Sequence, residues 1–357
     1  MGCATRAVSE DRPAIVLTMV PASEEVQQDS LASDLHQILS EADFHGVIAY
    51  SAEQQTFDSV YVGAPVPGPH WSKELLWPWA SMTKQVVAVM IMQAAETGAI
   101  DLDEPASAYL PALTGPTPAP TIRQLLQHRS GLRNSDDSPI DADDWPSFYT
   151  TGPTGLDWCL AERAAPPAEG WRYNNCDYIV LGSVLEEVTG KALATLFEER
   201  VARPAGLIAT GFANSKTAAT AASVEPRYAV ILPRFGAAGA LIGPVTDMLR
   251  FDRALLDGKL LNANSRDALW SGDPALGHMA LGQWAFDAPL KGCSGPARLI
   301  ERRGAIGKYQ VRNIILPESG MAVALVTTRS ERDFDFGEIW TGKGPMHDVL
   351  ARMACST

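Results

Sequence analysis

The sequence predicts a mixed α/β (α+β) fold: one antiparallel sheet assembled from both ends of the chain, flanked by helices and interrupted by a mostly helical insertion. Three observations predict it. Strand-like runs cluster near the two ends, at Gly46 to Tyr50 and Thr56 to Gly63, then at Arg298 to Arg303, Tyr309 to Leu316 and Met321 to Thr328. Between about 99 and 284 the apolar spacing is helical and the segments are short. The 29 Gly and 25 Pro call for many turns. Strands at both ends with helices between place residues 1–98 and 285–357 in a discontinuous sheet domain and 99–284 in a helical one.

The elements follow in order. Leu31, Leu35, Ile38 and Leu39 form one apolar face, so Leu31 to Ala42 reads as a helix. Gln85 to Thr97 reads as another, apolar on every face from Val86 to Met92 and therefore buried all round, with Gly98 as its stop. Thr121 and Gln124 form a capping-box pattern, and Gly131 lies past the end of that helix. Tyr178, Leu181, Leu185 and Val188 mark a helix ended by Gly190. Leu193, Leu196, Phe197 and Val201 mark one stopped before Pro204, and Thr246 caps one running to Gly258. Pro317 to Gly320 reads as a hairpin turn, and His347 to Met353 as a closing helix.

Composition excludes some functions. Acidic residues outnumber basic ones by 42 to 29, a net charge of −13, and a field of that sign repels phosphate backbones, so nucleic-acid binding is disfavoured. No apolar stretch reaches bilayer-crossing length. The five cysteines (3, 159, 176, 293, 355) are odd in number with no CxxC pair, which signals neither a disulfide framework nor a zinc cage; buried free thiols are expected. Ala14 to Val20 resembles a degenerate signal segment, but Glu10 and Asp11 precede it where positive charge belongs. A cytoplasmic location is favoured, with a periplasmic or lipid-anchored one as the alternative. The loop holding Asp136, Asp137, Asp141, Asp143 and Asp144 lacks the Gly and terminal Glu of a calcium loop and reads as a solvated acidic loop.

Three short segments could carry chemistry. Ser81-Met82-Thr83-Lys84 stands at the start of the buried helix, where residues three apart share a face and backbone N–H groups are free for an oxyanion. A serine hydroxyl needs a base, and a buried lysine beside positive charge can be one. Tyr173-Asn174-Asn175 supplies a phenol that can pass a proton and a carboxamide that can orient a lysine. Arg302-Arg303-Gly304-Ala305 ends a strand with a cation for a substrate carboxylate, a glycine for close approach and a following N–H. Taken singly each has a structural alternative: a helix cap, a buried tyrosine with Asn175 as cap, and a solvated arginine pair.

The order Ser-x-x-Lys, Tyr-x-Asn, then a basic residue and Gly on a late strand resembles the superfamily of class C β-lactamases, β-lactamase-like carboxylesterases and penicillin-binding DD-peptidases. Thr121 to Leu132 is similar to its T-I-R-x-L-L-x-H-T-S-G-L segment, Gly98 to Pro105 to its G-K-L-x-L-D-D-P stretch, and Gly170 to Tyr178 to G-x-x-F-x-Y-S-N-x-G-Y. The resemblance implies a β-lactamase/transpeptidase-like fold with the site between its two parts. It implies Ser81 as acyl nucleophile, Lys84 as base, Tyr173 as proton relay, and Asn175 as the residue orienting Lys84 and substrate. The N–H groups of Ser81 and Ala305 become the oxyanion hole, with Arg302 and Gly304 binding substrate. It implies a small ester, lactam or amide as substrate and neither metal nor other cofactor. Arg302 departs from the usual Lys or His, and Arg129 from a Thr, while His128 and Ser130 are expected to be structural. The favoured activity is that of a carboxylesterase; a β-lactamase or D-amino-acid peptidase or amidase is the alternative, and a non-catalytic sensor is one of another class. Trp71, Trp77 and Trp79 could line an acyl pocket or a core; Trp145, Phe148 and Tyr149 could rim the cleft.

Overall fold

The computed structural model describes residues 29–51, 57–63, 74–161, 165–214 and 225–355. The first helix, α1 (Asp29–Glu41), precedes a hairpin of β1 (Gly46–Ser51) and β2 (Phe57–Val62). A two-residue strand β3 (Trp77–Pro78) leads into α2 (Thr83–Glu96). The middle of the chain holds α3 (Ile122–Leu126), α4 (Gly155–Leu160), α5 (Asn175–Thr189) and α6 (Leu193–Phe197). It continues through β4 (Gly211–Phe212), α7 (Tyr228–Arg234), β5 (Leu241–Gly243), α8 (Val245–Leu256) and α9 (Ala263–Leu269). Strands β6 (Trp284–Pro289), β7 (Pro296–Ile306), β8 (Tyr309–Leu316) and β9 (Met321–Thr327) follow, and α10 (Pro345–Ala354) closes the described chain.

Six strands form one antiparallel sheet in the order β2-β1-β9-β8-β7-β6, so the two chain ends meet where β1 pairs with β9. Strand β1 is buried on both faces, and its period of two divides it: Ile48 and Tyr50 join the cluster of Leu35, Leu39, Val349 and Leu350, while Val47 and Ala49 join that of α2 and α8. The sheet is thus packed between α1 with α10 and α2 with α8. A three-stranded sheet, β3-β5-β4, anchors the approach to α2.

The expected mixed fold and antiparallel sheet stand, with local differences. Strand β6 was not foreseen. It runs through half-buried, buried and exposed positions, and its Trp-Ala-Phe-Asp stretch is short. Helix α8 begins at Val245 after Pro244, so Thr246 lies inside its first turn rather than capping it. The capping box of Thr121 and Gln124 is present, and Gly190 closes α5 at φ 65°. The expectation at Thr56, like those at Cys3 and Trp71, lies outside the described residues.

The cysteine reading is corrected. Cys159 is bonded to Cys176, and Cys293 to Cys355, with Cα separations of 5.4 and 4.8 Å. Tertiary packing makes these pairs: α4 lies against α5, and the end of α10 returns to the turn before β7. Neither contact leaves a trace in sequence spacing.

Candidate active site

Ser81 lies in a 3₁₀ turn (Ala80–Met82) leading directly into α2. Ala80 carries φ 47°, a left-handed conformation that a residue with a Cβ adopts at a cost of order 1–3 kcal/mol. Three contacts over-determine this turn. The Trp79 N–H donates to Leu241 O at 2.9 Å, and the Leu241 N–H donates to Thr83 Oγ1 at 3.1 Å. Strand β7 closes the third side: a Cβ at Gly304 would stand 2.8 Å from Trp79 O and 3.0 Å from Ser81 N. The missing side chain of Gly304 lets the Ser81 turn approach β7 this closely.

Lys84 follows on the first turn of α2 and is fully buried, yet among the described residues no carboxylate is bonded to it. Its Nζ lies 3.0 Å from Ser81 Oγ, 2.6 Å from Tyr173 Oη, 2.6 Å from Asn175 Oδ1 and 2.7 Å from Ala238 O. Ser81 Oγ and Tyr173 Oη also share a hydrogen bond. Burial, and then the Arg302 cation, hold Lys84 well below the usual lysine range, against the opposing pull of Asp136 and Asp177. The carboxamide and carbonyl oxygens can only accept, so a neutral amine gives them its two hydrogens. Its lone pair then faces the hydroxyls of Ser81 and Tyr173. Burial raises the Tyr173 phenol, with Arg302 pulling the other way, so the phenol carries its proton at neutral pH.

Tyr173 and Asn175 reach this point because α5 begins between them. The cap is Asn174, whose side chain accepts the Cys176 N–H at 2.9 Å, and Asn175 is the first helical residue. The amide nitrogen of Asn175 is committed to Asp136 and Tyr149, which leaves its oxygen to Lys84. Buried His128 packs on the Tyr173 ring, 4.8 Å between centroids, and Ser130 donates to buried Asp177. Arg129 holds the passing chain through Ala168 O at 3.0 Å.

Arg302 enters from β7 but is only 1% exposed. Its Nε donates to Ser81 O at 2.9 Å, its two terminal nitrogens are buried without a hydrogen-bond partner, and its guanidinium lies between the Tyr173 and Trp284 rings. Strand β6 begins opposite Glu301, so residues 302–306 of β7, Ala305 included, have no β6 partner and border the Ser81 turn.

Among the other sequence candidates, Trp77 and Trp79 are core residues, 1% and 0% exposed. Phe148 and Tyr149 are buried rather than at a rim, and Tyr149 reaches Asn175. Nor is the acidic loop simply solvated: Asp136 binds Asn175, and Asp141 accepts the Asp143 and Trp145 N–H groups at 2.9 and 3.0 Å. Sequence reading missed Ala238 O and the Asp136–Tyr149 pair. A backbone carbonyl has no sequence signature, and an aspartate among five has no distinguishing one.

This constellation on this sheet agrees with the family match. The beta-lactamase family model matches residues 41–343, and the chain belongs to that family. It is a serine hydrolase by class. It is 26% identical over 350 residues to the D-alanyl-D-alanine-carboxypeptidase/endopeptidase AmpH of Escherichia coli, covering 88% of each chain. Esterase EstB of Burkholderia gladioli is 30% identical over 195 residues, 48% of this chain and 46% of that protein. A D-stereospecific amidohydrolase from Streptomyces sp. shares the fold at TM-score 0.71 and 20% identity, covering 91% of this chain and 99% of that one. No helix among the described residues is long and apolar enough to cross a membrane.

Proposed function

We propose that Ser81 forms an acyl-enzyme with a small carboxylic ester, which makes the protein a carboxylesterase. The observation carrying the catalytic reading is the buried Lys84 amine held against Ser81 and Tyr173 by two obligate acceptors. Lys84 takes the Ser81 proton as Oγ attacks the carbonyl carbon. The N–H groups of Ser81 and Ala305 hold the oxyanion. Tyr173 gives its proton to the departing alkoxide and is reprotonated from Lys84, leaving acyl-Ser81 and a free alcohol. Water then attacks the acyl carbon, its proton passing to Tyr173 and Lys84, and Ser81 departs with a proton returned to it.

Arg302 favours esters over substrates recognised by a carboxylate. Its cation is sealed from solvent, so an anionic substrate group does not reach it without rearrangement of the Tyr173–Trp284 stack. A D-amino-acid peptidase or amidase activity is the second reading, favoured by the match to AmpH along nearly the whole chain. In either case the six-stranded sheet with its covering helices forms one unit, most of the segment between β3 and β6 forms a helical unit, and the proposed site lies between them. The two disulfides support an oxidising compartment.

Turnover of p-nitrophenyl butyrate, nitrocefin and a D-amino-acid amide should be compared in the native protein and in Ser81→Ala. The ester is expected to be the best substrate, and the variant to lose at least about 10³-fold in kcat. Undiminished turnover in the variant would falsify the assignment of Ser81. Preference for the amide would install the second reading.

A further inference from the structure

Two aspartates of the acidic loop have their carboxylates spent locally or in solvent-facing contacts: Asp137 pairs with exposed Arg172 at 2.8 Å, and Asp141 closes its own turn by accepting the Asp143 and Trp145 N–H groups. Asp136 differs. Its carboxylate accepts from Asn175 Nδ2 at 3.1 and 3.4 Å and from Tyr149 Oη at 2.6 Å. Tyr149 Oη in turn lies 2.8 Å from Asn175 Nδ2 and 2.6 Å from Ser135 Oγ. The Tyr149 ring is fixed by stacking on Phe235, with centroids 3.9 Å apart and planes 11° apart.

A carboxamide can sit either way round, and its surroundings choose. Here the amine side of Asn175 meets a carboxylate and a phenol oxygen, while its oxygen meets Lys84 Nζ at 2.6 Å. Turned over, it would set oxygen against carboxylate and NH₂ against the Lys84 amine. We propose that Asp136 is a positioning residue of the catalytic site: with Tyr149 it fixes the orientation of Asn175, and it sets a negative charge one side chain from Lys84, opposite the positive charge of Arg302. The proposal rests on the reading of Ser81 and Lys84 as nucleophile and base.

The groups facing Lys84 are few. Arg302 comes from β7, Tyr173 from the segment before α5, Asp177 and the Tyr178 ring (5.6 Å) from α5, His128 from the loop after α3, and Asp136 from the acidic loop. Burial pushes Asp177 well above the usual carboxylate range and His128 well below the usual imidazole range. Arg302 and Asp136 face Lys84 with opposed charges, and Asp177 pulls in the same direction as Asp136. Arg302 favours the neutral amine and Asp136 the protonated one.

The test is the pH profile of kcat/KM for p-nitrophenyl butyrate with the full chain. Asp136→Asn keeps the size but removes the charge that favours protonated Lys84. The acid limb is therefore expected to move to lower pH, with the plateau lowered up to about tenfold by the weaker hold on Asn175. Tyr149→Phe keeps the charge; its limb is expected to stay while kcat falls severalfold. Asp136→Glu is expected to restore the native limb. An unmoved limb in Asp136→Asn, or an equal displacement in Tyr149→Phe, would overturn the proposal. Asp136 lies on an exposed turn; should the Asn variant not fold, Asp136→Ser is read in the same way. The Ser81→Ala control stands apart: turnover retained there overturns the hydrolase reading, while an unmoved limb with Ser81-dependent turnover overturns the role of Asp136 alone.

Discussion

Among the described residues no carboxylate is bonded to the Arg302 cation. It gives one hydrogen bond to a main-chain carbonyl, its two terminal nitrogens find no hydrogen-bond partner among those residues, and it lies between two aromatic rings. Such a group is costly to bury, and the benefit visible in the structure is its field at Lys84. Removing it in Arg302→Gln withdraws the charge that favours the neutral amine. Lys84 then holds its proton to higher pH, and the acid limb of kcat/KM is expected to rise, opposite to the Asp136→Asn displacement. Arg302→Lys keeps the charge and is expected to stay near the native limb, with a lower kcat because the stack and the bond to Ser81 O are disturbed. A limb unmoved by Arg302→Gln would show that burial alone sets the base. At this scale the sequence was informative where chemistry is local. Ser81 and Lys84 are legible because one helical turn joins them. Asp136 is not, because its place is decided by how the loop to Tyr149 folds, and no short-range pattern encodes that.

The elements that hold the site are its helix starts. Helix α2 begins where β3, β5 and β7 converge, and its apolar sequence on every face already said that it would be enclosed. Helix α5 starts under an asparagine cap with Cys176 in its first turn, between Asn175 and Asp177. The bond from Cys176 to Cys159 ties that turn to α4 across a sequence separation of 17. Closing a loop of that size is worth about 3 kcal/mol in the chain-entropy account. Cys159→Ser is therefore expected to lower the melting temperature by several degrees and to weaken turnover, since Asn175 lies next to the released cysteine. Melting temperatures equal to that of the native protein in calorimetry would remove the bond from the stabilising contacts. The same elements show why the cysteines misled: with five of them and no motif spacing, only the packing of α4 on α5 and of α10 on the β6–β7 turn selects the pairs.

For the whole molecule the alternation of strand-rich ends and a helical middle was enough to indicate the sheet, although not its sixth strand or the order of its members. That order matters for folding. β1 pairs with β9, so this contact of the sheet joins Gly46 to Thr327 across most of the described chain, and closure of such contacts is slow. The nucleophile turn is in turn held by β7. Recovery of Trp fluorescence, which sums nine tryptophans with Trp77 and Trp79 at that turn, and recovery of Ser81 labelling by a fluorophosphonate are therefore expected to share one rate constant on refolding. Labelling that ran ahead of the fluorescence would mean that the turn forms without the sheet.

Ser81 and Arg302 are 221 residues apart, yet the side chain of one is bonded to the backbone of the other. A chain emerging from the ribosome displays its nucleophile early and receives β7 late. Until that strand arrives, Ser81 lacks its bond to Arg302, Lys84 lacks the cation that lowers it, and the oxyanion hole proposed for Ser81 and Ala305 is incomplete.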